Sequence, residues 1–249
     1  PSRCVRLRPL LDKGWPAGVQ RFVLDSVGST NAHALSEAPA MAGPAWFLGL
    51  EQTAGRGRRA RAWSSPRGNF HATLLLFPKE TPDQVALRSF AAALALRDAL
   101  AAVTGLPEAF SLKWPNDVLL NGSKLAGILL EATSAGTGVQ ALAIGIGVNL
   151  IAHPDQSVME EGALPAVSLL SETGLRIAPE AFAERARAIE AEVKKYVDEA
   201  VPLLRDRAVR IAPASRRPRP GAIAGSLSTS CAAPAAATRP PSISTTVLA

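Results

Sequence analysis

Residues 111–132 read SLKWPNDVLLNGSKLAGILLEA, two β-prone runs that meet at Asn121-Gly122. Asn-Gly between two such runs is the strongest short-range hairpin signal, because both residues tolerate the positive φ angles of a tight turn. The sequence therefore predicts two antiparallel strands, Ser111–Leu120 and Ser123–Ala132.

The hairpin register brings charged side chains to one face. With a two-residue turn, Leu119 faces Lys124, and Asp117 lies diagonal to Lys124, roughly 7–8 Å away between Cα atoms. Lys113 shares that face. Two cations and one carboxylate held in this way suit an anionic substrate with a magnesium ion. For an isolated hairpin, an exposed face of solvated charges is the simpler interpretation.

The rest of the chain mixes strands and helices without a repeating βαβ rhythm. The clearest helix is predicted from Pro82 to about Thr104, with Thr81 as N-cap in a Thr-x-x-Gln capping box and Gly105 as the stop. A second helix is predicted from about Pro179 to Ala200. The remaining predicted elements are one short helix, Ser29–Glu37, and four strands, Arg21–Asp25, Trp46–Glu51, Asn69–Phe77 and Gln140–Leu150. Together they predict an α+β fold, a mixed β-sheet with helices packed against it.

The net charge of +6 suggests a nucleic-acid-binding protein until its distribution is considered. Residues 205–249 hold seven Arg and one Asp, which leaves 20 basic and 20 acidic side chains in residues 1–204. Residues 205–249 also contain six Pro and eleven Ala, and no Phe, Trp or Tyr. We therefore predict a neutral folded domain over 1–204 and a disordered Pro/Ala/Arg-rich tail over 205–249.

Cysteine and histidine are sparse. Cys4 and Cys231 lie near opposite ends, and His33, His71 and His153 show no metal-ligand spacing. We expect no structural disulfide and no zinc. The first residues lack the apolar core of a signal peptide, and no run reaches the roughly 18 uninterrupted apolar residues of a membrane span. We therefore expect no membrane partner and a cytoplasmic location.

Two polar segments contain chemistry that a core would not use. Residues 51–63 read EQTAGRGRRARAW, and alternating Gly and Arg make a mobile loop whose amides and guanidiniums can close around phosphate. In isolation, a solvated loop or a nucleic-acid tether explains the same pattern. The second segment is Ser29-Thr30-Asn31, where Ser29 suits a helix N-cap. A helix N-terminus also presents amides and hydroxyls to a polar ligand, although capping alone would explain Ser29.

Four segments then occur in one order: GSTN at 28–31, QTAGRGRRARAWSSPRGN at 52–69, KWPNDVLLNGSKLAGILLE at 113–131 and IGIGVNL at 144–150. Together they resemble the catalytic domain of bacterial biotin-protein ligases over about residues 20–200. KWPND followed by KLAGILLE after a hairpin is highly specific. The resemblance implies the biotin/lipoyl ligase fold for residues 1–204. It also implies an enzyme that uses ATP and Mg²⁺ to join biotin to a lysine of a biotin carboxyl carrier protein through biotinyl-5′-AMP.

The resemblance implies roles for individual residues. Lys124 would contact the biotin carboxylate and the α-phosphate, Arg58 would act with it in catalysis, and Asp117 would bind magnesium. Trp63 would anchor the loop near adenine. The implied biotin site consists of Ser29, Thr30, Asn31, Gln52, Arg56, Gly57, Arg58, Lys124 and Gly127. The implied ATP and adenylate site consists of Arg56, Arg58, Arg61, Trp63, Lys113, Asn116 and Asn149.

The sequence departs from the family pattern in two places. The familiar loop is Gly-Arg-Gly-Arg-Arg-Gly-Arg, and Ala60 stands at its third glycine. Because alanine disfavours positive φ, we expect a stiffer or reshaped loop. Family members usually end in a small SH3-like β domain, yet residues 205–249 show no alternating strands. We therefore expect impaired ATP handling or carrier recognition relative to a full-length relative.

Other functions stay open at this point. A lipoate or octanoate ligase or transferase would share the fold, although GRGRR and KWPND favour biotin. A basic nucleic-acid-binding protein is the alternative from another class, and the neutral charge of residues 1–204 argues against it. About 20 residues precede the first predicted strand, too few for the helix-turn-helix of some family members, so no DNA partner is expected. The sequence leaves the carrier protein and the oligomeric state open, a homodimer included.

Overall fold

The fold is built on one mixed β-sheet. The computed structural model describes residues 19–135, 138–158, 162–184, 195 and 245–247. The strands are β1 (Gln20–Leu24), β2 (Ala45–Gly49), β3 (Phe70–Leu76), β4 (Phe110–Lys113), β5 (Asp117–Leu120), β6 (Ser123–Ala135), β7 (Gly138–Val148) and β8 (Thr245–Val247). Seven of them follow the order β1-β2-β3-β7-β6-β5-β4, and β8 pairs with β6. Only β1 and β2 run parallel among these pairs, so the predicted mixed sheet is confirmed.

Short helices flank the sheet. The α-helices are α1 (Thr30–Glu37), α2 (Pro82–Ala86), α3 (Arg88–Thr104) and α4 (Leu169–Thr173). Single 3₁₀ turns occur at Ala38–Ala40, Arg58–Ala60, Pro107–Ala109 and Gln156–Val158. Within the described ranges, no helix combines the length and the apolar character that crossing a membrane requires.

Alternation of side chains along each strand gives the sheet two unlike faces. On β7, the large residues at 142, 144, 146 and 148 are buried in one core with the alanines and leucines of α3. Between residues 141 and 147 the opposite face of β7 carries only small residues, Ala141, Ala143, Gly145 and Gly147. Helix α1 covers one end of this second face through Ala34 and Leu35. We call the second face the site face, because its small residues leave room above the strands.

The prediction of one strand over Ser111–Leu120 is wrong in one respect. It is two antiparallel strands, β4 and β5, joined by a turn at residues 114–116. Pro115 explains the break, because proline has no N–H to donate to a sheet ladder. The Trp114-Pro115 peptide bond is cis, and the Trp114 ring stacks on Phe90 with centroids 4.0 Å apart. The KWPND segment is therefore a turn that packs against α3.

Most other predicted elements are confirmed. Helix α1 and strands β1, β2, β3 and β7 lie within two residues of their predicted ends. Asn121 and Gly122 have φ angles of 49° and 79°, as the predicted tight turn requires. The predicted helix over 82–104 is interrupted at Leu87, so it forms α2 and α3, and it ends at Gly105 with φ 71° as predicted.

The second half of the chain is only partly described. Residues 179–184 are helical where the second long helix was predicted, and most of that prediction lies outside the described residues. Of the predicted tail, the structure describes β8, which pairs with Glu131–Thr133. The structure differs from the expected disorder at these three residues. The reason is that β6 extends past the end of β5, and the unpaired backbone groups of its free edge accept another strand.

Candidate active site

A single row of cross-strand neighbours crosses seven strands on the site face. The row consists of Leu24, Gly49, His71, Gly147, Gly127, Asp117 and Lys113. Its three glycines, together with Gly145, form a depression in the sheet that we call the trough. The row brings Lys113 and Asp117 beside residues that lie far away in sequence.

The indole of Trp63 lies in the trough. A Cβ atom added to Gly147 would lie 2.6 Å from Nε1 of Trp63, and one added to Gly127 would lie 3.4 Å from Cζ3. Only glycine at 147 allows so close an approach. The backbone N–H of Trp63 donates to the carbonyl of Gly55 at 2.9 Å, which ties the ring to the Gly-Arg loop. The predicted contact of Trp63 with adenine stays a prediction.

The Gly-Arg loop is a narrow hairpin-like turn. Arg56 and Ala62 form an antiparallel bridge, and the N–H of Gly57 donates to the carbonyl of Arg61 at 2.8 Å. At the tip, Arg59 and Ala60 both have φ of 58°, in the left-handed region. Ala60 therefore holds, at a steric cost, a conformation that the expected glycine would adopt freely.

The N-terminus of α1 is tied to both ends of the loop. The Ser29 hydroxyl accepts from the N–H of Ala32 at 3.4 Å, so Ser29 caps the helix. The N–H and the hydroxyl of Thr30 both donate to Oε1 of Gln52, at 2.8 and 3.0 Å. Nε2 of Gln52 donates to the hydroxyl of Ser65 at 2.8 Å. These contacts place three of the predicted biotin-site residues together.

Asn31 lies deeper and is held by protein groups. Its Nδ2 donates to the carbonyl of Leu129 at 3.2 Å and to Oε2 of Glu131 at 2.9 Å. Its Oδ1 accepts from the hydroxyl of Thr73 at 2.6 Å. A Cβ atom on Gly145 would lie 2.5 Å from that oxygen. Both amide protons of Asn31 are used inside the protein, so only its oxygen keeps an unused hydrogen-bonding position, as an acceptor.

Glu131 is a site residue that the sequence analysis missed. Its side chain is 3% exposed, and its Oε1 accepts from Nε and Nη2 of Arg56 at 3.2 and 3.0 Å. A signal was present, because Glu131 is the one charged residue in the apolar run ILLEA. It is also four residues from Gly127 on the same strand, which places both on one face.

The hairpin charges converge as predicted. Leu119 pairs with Lys124, and Nζ of Lys124 lies 2.9 Å from Oδ1 of Asp117. A bulge between Val118 and Leu119 shifts the register, so Asp117 stands directly opposite Gly127. Nζ of Lys124 also lies 5.5 Å from the ring centroid of Trp63. Lys124 thus borders the trough.

The KWPND turn meets the loop through a side-chain amide. Nδ2 of Asn116 donates to the carbonyl of Ile128 at 2.7 Å, and its Oδ1 accepts from Nη1 of Arg58 at 3.4 Å. The structure therefore brings Arg58 and Asn116 together. Lys113 and Arg61 are both exposed, on β4 and on the loop.

Asn149 lies at the far end of β7 and is 2% exposed. Its Nδ2 donates to the carbonyl of Val167 at 3.1 Å, and its carbonyl accepts from the N–H of Leu169 at 2.8 Å. These contacts hold the segment before α4 against the sheet. The predicted contact of Asn149 with the adenylate stays a prediction.

His71 stands in the row between Gly49 and Gly147. Burial lowers the pKa of its imidazole from 6.5 to about 4, partly opposed by the carbonyl of Pro66, 3.4 Å from Nε2. His71 is therefore neutral at pH 7. In the sequence it was only one of three scattered histidines.

The charges of the site are more balanced than the sequence predicted. Arg56 is paired with Glu131 and Lys124 with Asp117, so two carboxylates accompany the cations instead of one. Among the residues that the structure describes, no three His, Cys, Asp or Glu side chains gather as a metal site would require. The arrangement suits a ligand that lies beside the Trp63 indole in the trough and carries an anionic group for Lys124 and Arg58.

Comparisons with known proteins show which family this chain resembles and where the match lies. A model of the biotin/lipoate A/B protein ligase family matches residues 28–149, which contain every predicted site residue. The chain is 54% identical over 160 residues to a biotin–(acetyl-CoA-carboxylase) ligase of Paracoccus denitrificans, covering 64% of this chain and 67% of that protein. A ligase of the same name from Mycobacterium tuberculosis is 35% identical over 168 residues, covering 61% of this chain and 60% of that protein. The solved structure of a biotin protein ligase from Aquifex aeolicus in complex with biotin and ATP has a TM-score of 0.56 at 28% identity, covering 72% of each chain.

Proposed function

The chain belongs to the biotin/lipoate A/B protein ligase family, and we propose that it uses ATP to join biotin to a lysine of a biotin carboxyl carrier protein. The names of the two similar ligases and the biotin and ATP of the Aquifex complex support this function. The aligned segments span 67% of the Paracoccus ligase and 60% of the Mycobacterium ligase. The single observation that carries the proposal is the trough, in which the Trp63 ring lies with its centroid 5.5 Å from the Lys124 ammonium.

The proposed reaction has two steps. A carboxylate oxygen of biotin attacks the α-phosphorus of ATP, and the bond from that phosphorus to the bridging oxygen of pyrophosphate breaks. The products are the mixed anhydride biotinyl-5′-AMP and pyrophosphate. The amine of the carrier lysine then attacks the acyl carbon, AMP leaves with the bonding electrons, and the amine gives up a proton as the amide forms. No covalent bond to the enzyme is required.

The barrier of the first step is electrostatic, because both reactants are anions. We assign Lys124 to the biotin carboxylate and the α-phosphate, with Arg58 as the second catalytic cation. The Lys124 side chain is 28% exposed beside Asp117, so it can reach a ligand without leaving its partner. Cations held in place before the reaction stabilise charge that develops on phosphorus.

The remaining predicted residues form the two halves of the site. Ser29, Thr30, Asn31 and Gln52 would hold biotin at the end of α1, over a floor that includes Gly127. Trp63, Lys113, Asn116, Asn149 and Arg61 would surround the adenylate. The loop with Arg56 and Gly57 would cover both, which keeps water from the anhydride.

Magnesium would enter with the phosphates of ATP and offset part of their negative charge. A magnesium ion of this kind keeps several waters and needs only one or two protein carboxylates. Asp117 fits that requirement, because its carboxylate lies beside Lys124, the residue that we assign to the α-phosphate. We therefore assign Asp117 as the protein ligand.

The test is adenylate formation by the purified protein. With ATP, magnesium and biotin, we expect biotin-dependent exchange of pyrophosphate into ATP, followed by biotin transfer when a carrier domain is added. Lys124→Ala should lower the exchange rate by roughly 100-fold or more. Lys79→Ala, which removes an exposed lysine after β3, is the matched control and should exchange like the unchanged protein. Undiminished exchange in Lys124→Ala would remove the central assignment.

The same assay separates the alternatives. Exchange that depends on lipoate or octanoate and not on biotin would identify a ligase for those acids. Absence of exchange with every acid, together with salt-dependent binding to DNA or RNA, would favour the nucleic-acid-binding alternative. No observation on the structure favours either one. A cytoplasmic location, a homodimer and the absence of a DNA partner stay predictions.

A further inference from the structure

Arg56 and Arg58 stand two residues apart on the loop, yet their surroundings differ. Arg56 donates two hydrogen bonds to one oxygen of Glu131, at 3.2 and 3.0 Å. Arg58 makes one long contact, 3.4 Å, with the neutral oxygen of Asn116. The first guanidinium is therefore committed to a carboxylate, whereas the second can turn to a ligand.

The burial of Glu131 decides how firm that commitment is. Its side chain is 3% exposed, and its other oxygen accepts from Asn31 at 2.9 Å. A buried carboxylate that loses its cation pays a large desolvation cost with nothing to offset it. If Arg56 swung away to bind a phosphate, Glu131 would be left in that state. The pair should therefore persist when substrate binds.

The pair also links the loop to the floor of the site. Arg56 begins the turn that closes at Ala62, and its neighbour Gly55 accepts from the N–H of Trp63 at 2.9 Å. Through Asn31, Glu131 also contacts the first turn of α1. One buried carboxylate thus joins β6, α1 and the loop.

We propose that Glu131 is a positioning residue that anchors the Gly-Arg loop through Arg56, and that Arg56 itself does not bind the anionic substrate. This inference rests on the proposed function for its kinetic consequences. The anion is left to Arg58 and Lys124. The role of Glu131 is to keep the loop over the trough while the acyl-adenylate is present.

The two possible roles of Arg56 predict different patterns for the pair of variants Glu131→Gln and Arg56→Gln. If Arg56 binds ATP, Glu131 competes for it, so removing the carboxylate charge would lower the KM for ATP or leave it unchanged, while Arg56→Gln would raise it. If Arg56 is an anchor, both substitutions release the loop and have the same effect. That shared effect is faster loss of the adenylate from the site.

The experiment compares Glu131→Gln, Arg56→Gln and the double variant with Glu80→Gln, which removes an ion pair with Arg88 outside the site. We expect each single variant to keep the KM for ATP within about twofold and to release biotinyl-AMP into solution about tenfold faster. The double variant should match the singles, because both changes remove one interaction. A KM for ATP raised tenfold in Arg56→Gln alone would overturn the proposal.

A measurement without substrate separates this inference from the proposed function. Trypsin can cut the loop at Arg58, Arg59 and Arg61 in all variants. We expect cleavage there about tenfold faster in Glu131→Gln and Arg56→Gln than in Glu80→Gln, because cleavage follows local opening. Equal cleavage rates would refute the anchor even if the enzyme ligates biotin. If Glu131→Gln fails to fold by circular dichroism, Arg56→Gln alone decides, since its side chain is 39% exposed.

Discussion

Alanine at Gly145 and alanine at Gly147 should have opposite consequences, although both glycines lie on β7 and face the trough. At 145 the added Cβ would lie 2.5 Å from Oδ1 of Asn31, which three protein hydrogen bonds hold in place. At 147 it would lie 2.6 Å from the indole of Trp63, a partly exposed side chain whose ring can turn while the Arg56–Glu131 pair still holds the loop. The clash at 145 cannot be relieved without breaking the buried hydrogen bonds of Asn31. The clash at 147 can be relieved by a movement of the Trp63 ring.

The magnitudes follow from those contacts. Overpacking a well-filled site costs about 1–3 kcal/mol, and each hydrogen bond lost by Asn31 adds about 0.5–1.5 kcal/mol. We expect Gly145→Ala to lower the free energy of unfolding by about 3 kcal/mol, which lowers Tm by about 6–12 °C for a chain of this size. For Gly147→Ala we expect a change within about 1 kcal/mol, because alanine also removes part of the entropic cost of glycine in a strand.

Two measurements check this pair. Thermal unfolding followed by circular dichroism gives the stability difference, and tryptophan fluorescence reports whether the Trp63 ring has left the trough. Because the chain has four tryptophans, the Trp63 signal is taken as the difference from Trp63→Phe. Gly147→Ala should change that difference, whereas its Tm should stay close to that of the unchanged protein. A Tm loss in Gly147→Ala as large as in Gly145→Ala would refute the mobility of the ring.

Three further predictions concern stability. The pKa of His71 is about 4 in the fold and 6.5 as a free side chain, so the folded state binds fewer protons than the unfolded state. The free energy of unfolding therefore keeps its full value above about pH 6.5 and is lower by roughly 2 kcal/mol at about pH 5. Urea unfolding should show this loss reduced in His71→Gln and retained in His153→Gln. Asn69→Ala should cost about 2–4 kcal/mol in the same assay, because this buried side chain makes three hydrogen bonds to the backbone at residues 151–152. Ala60→Gly should raise the free energy of unfolding by about 1 kcal/mol by relieving the left-handed φ, whereas Ala62→Gly should lower it; equal effects of the two would contradict the strain at Ala60.

Local signals in the sequence were sufficient for most of the fold. Three features act through neighbouring backbone groups, so the local sequence predicts them directly: the Asn121-Gly122 turn, the capping box before α2 and the glycine after α3. The same locality explains the errors. Pro115 was read inside a strand although it lacks the N–H that a strand needs, and the one-residue break at Leu87 has no strong local signal.

Within the site, the sequence predicted the contacts that a hairpin register or a helix cap controls. The approach of Lys124 to Asp117 follows from the turn between their strands, and the capping role of Ser29 follows from the helix that it begins. Glu131 and His71 were missed as site residues because their partners are far away in sequence. Arg56 precedes Glu131 by 75 residues, and Gly147 follows His71 by 76.

The sequence by itself determined the strands, the helices and the motif that resembles biotin-protein ligases, because hydrophobic alternation, turn chemistry and capping act over a few residues. Only the tertiary structure decided which strands become neighbours and in what register. That pairing puts three glycines and Asp117 in one row, seats Trp63 against them and buries Glu131 beside Arg56. The physical reason is that a residue's neighbour on an adjacent strand is set by the packing of the whole sheet, and no short stretch of sequence contains that information.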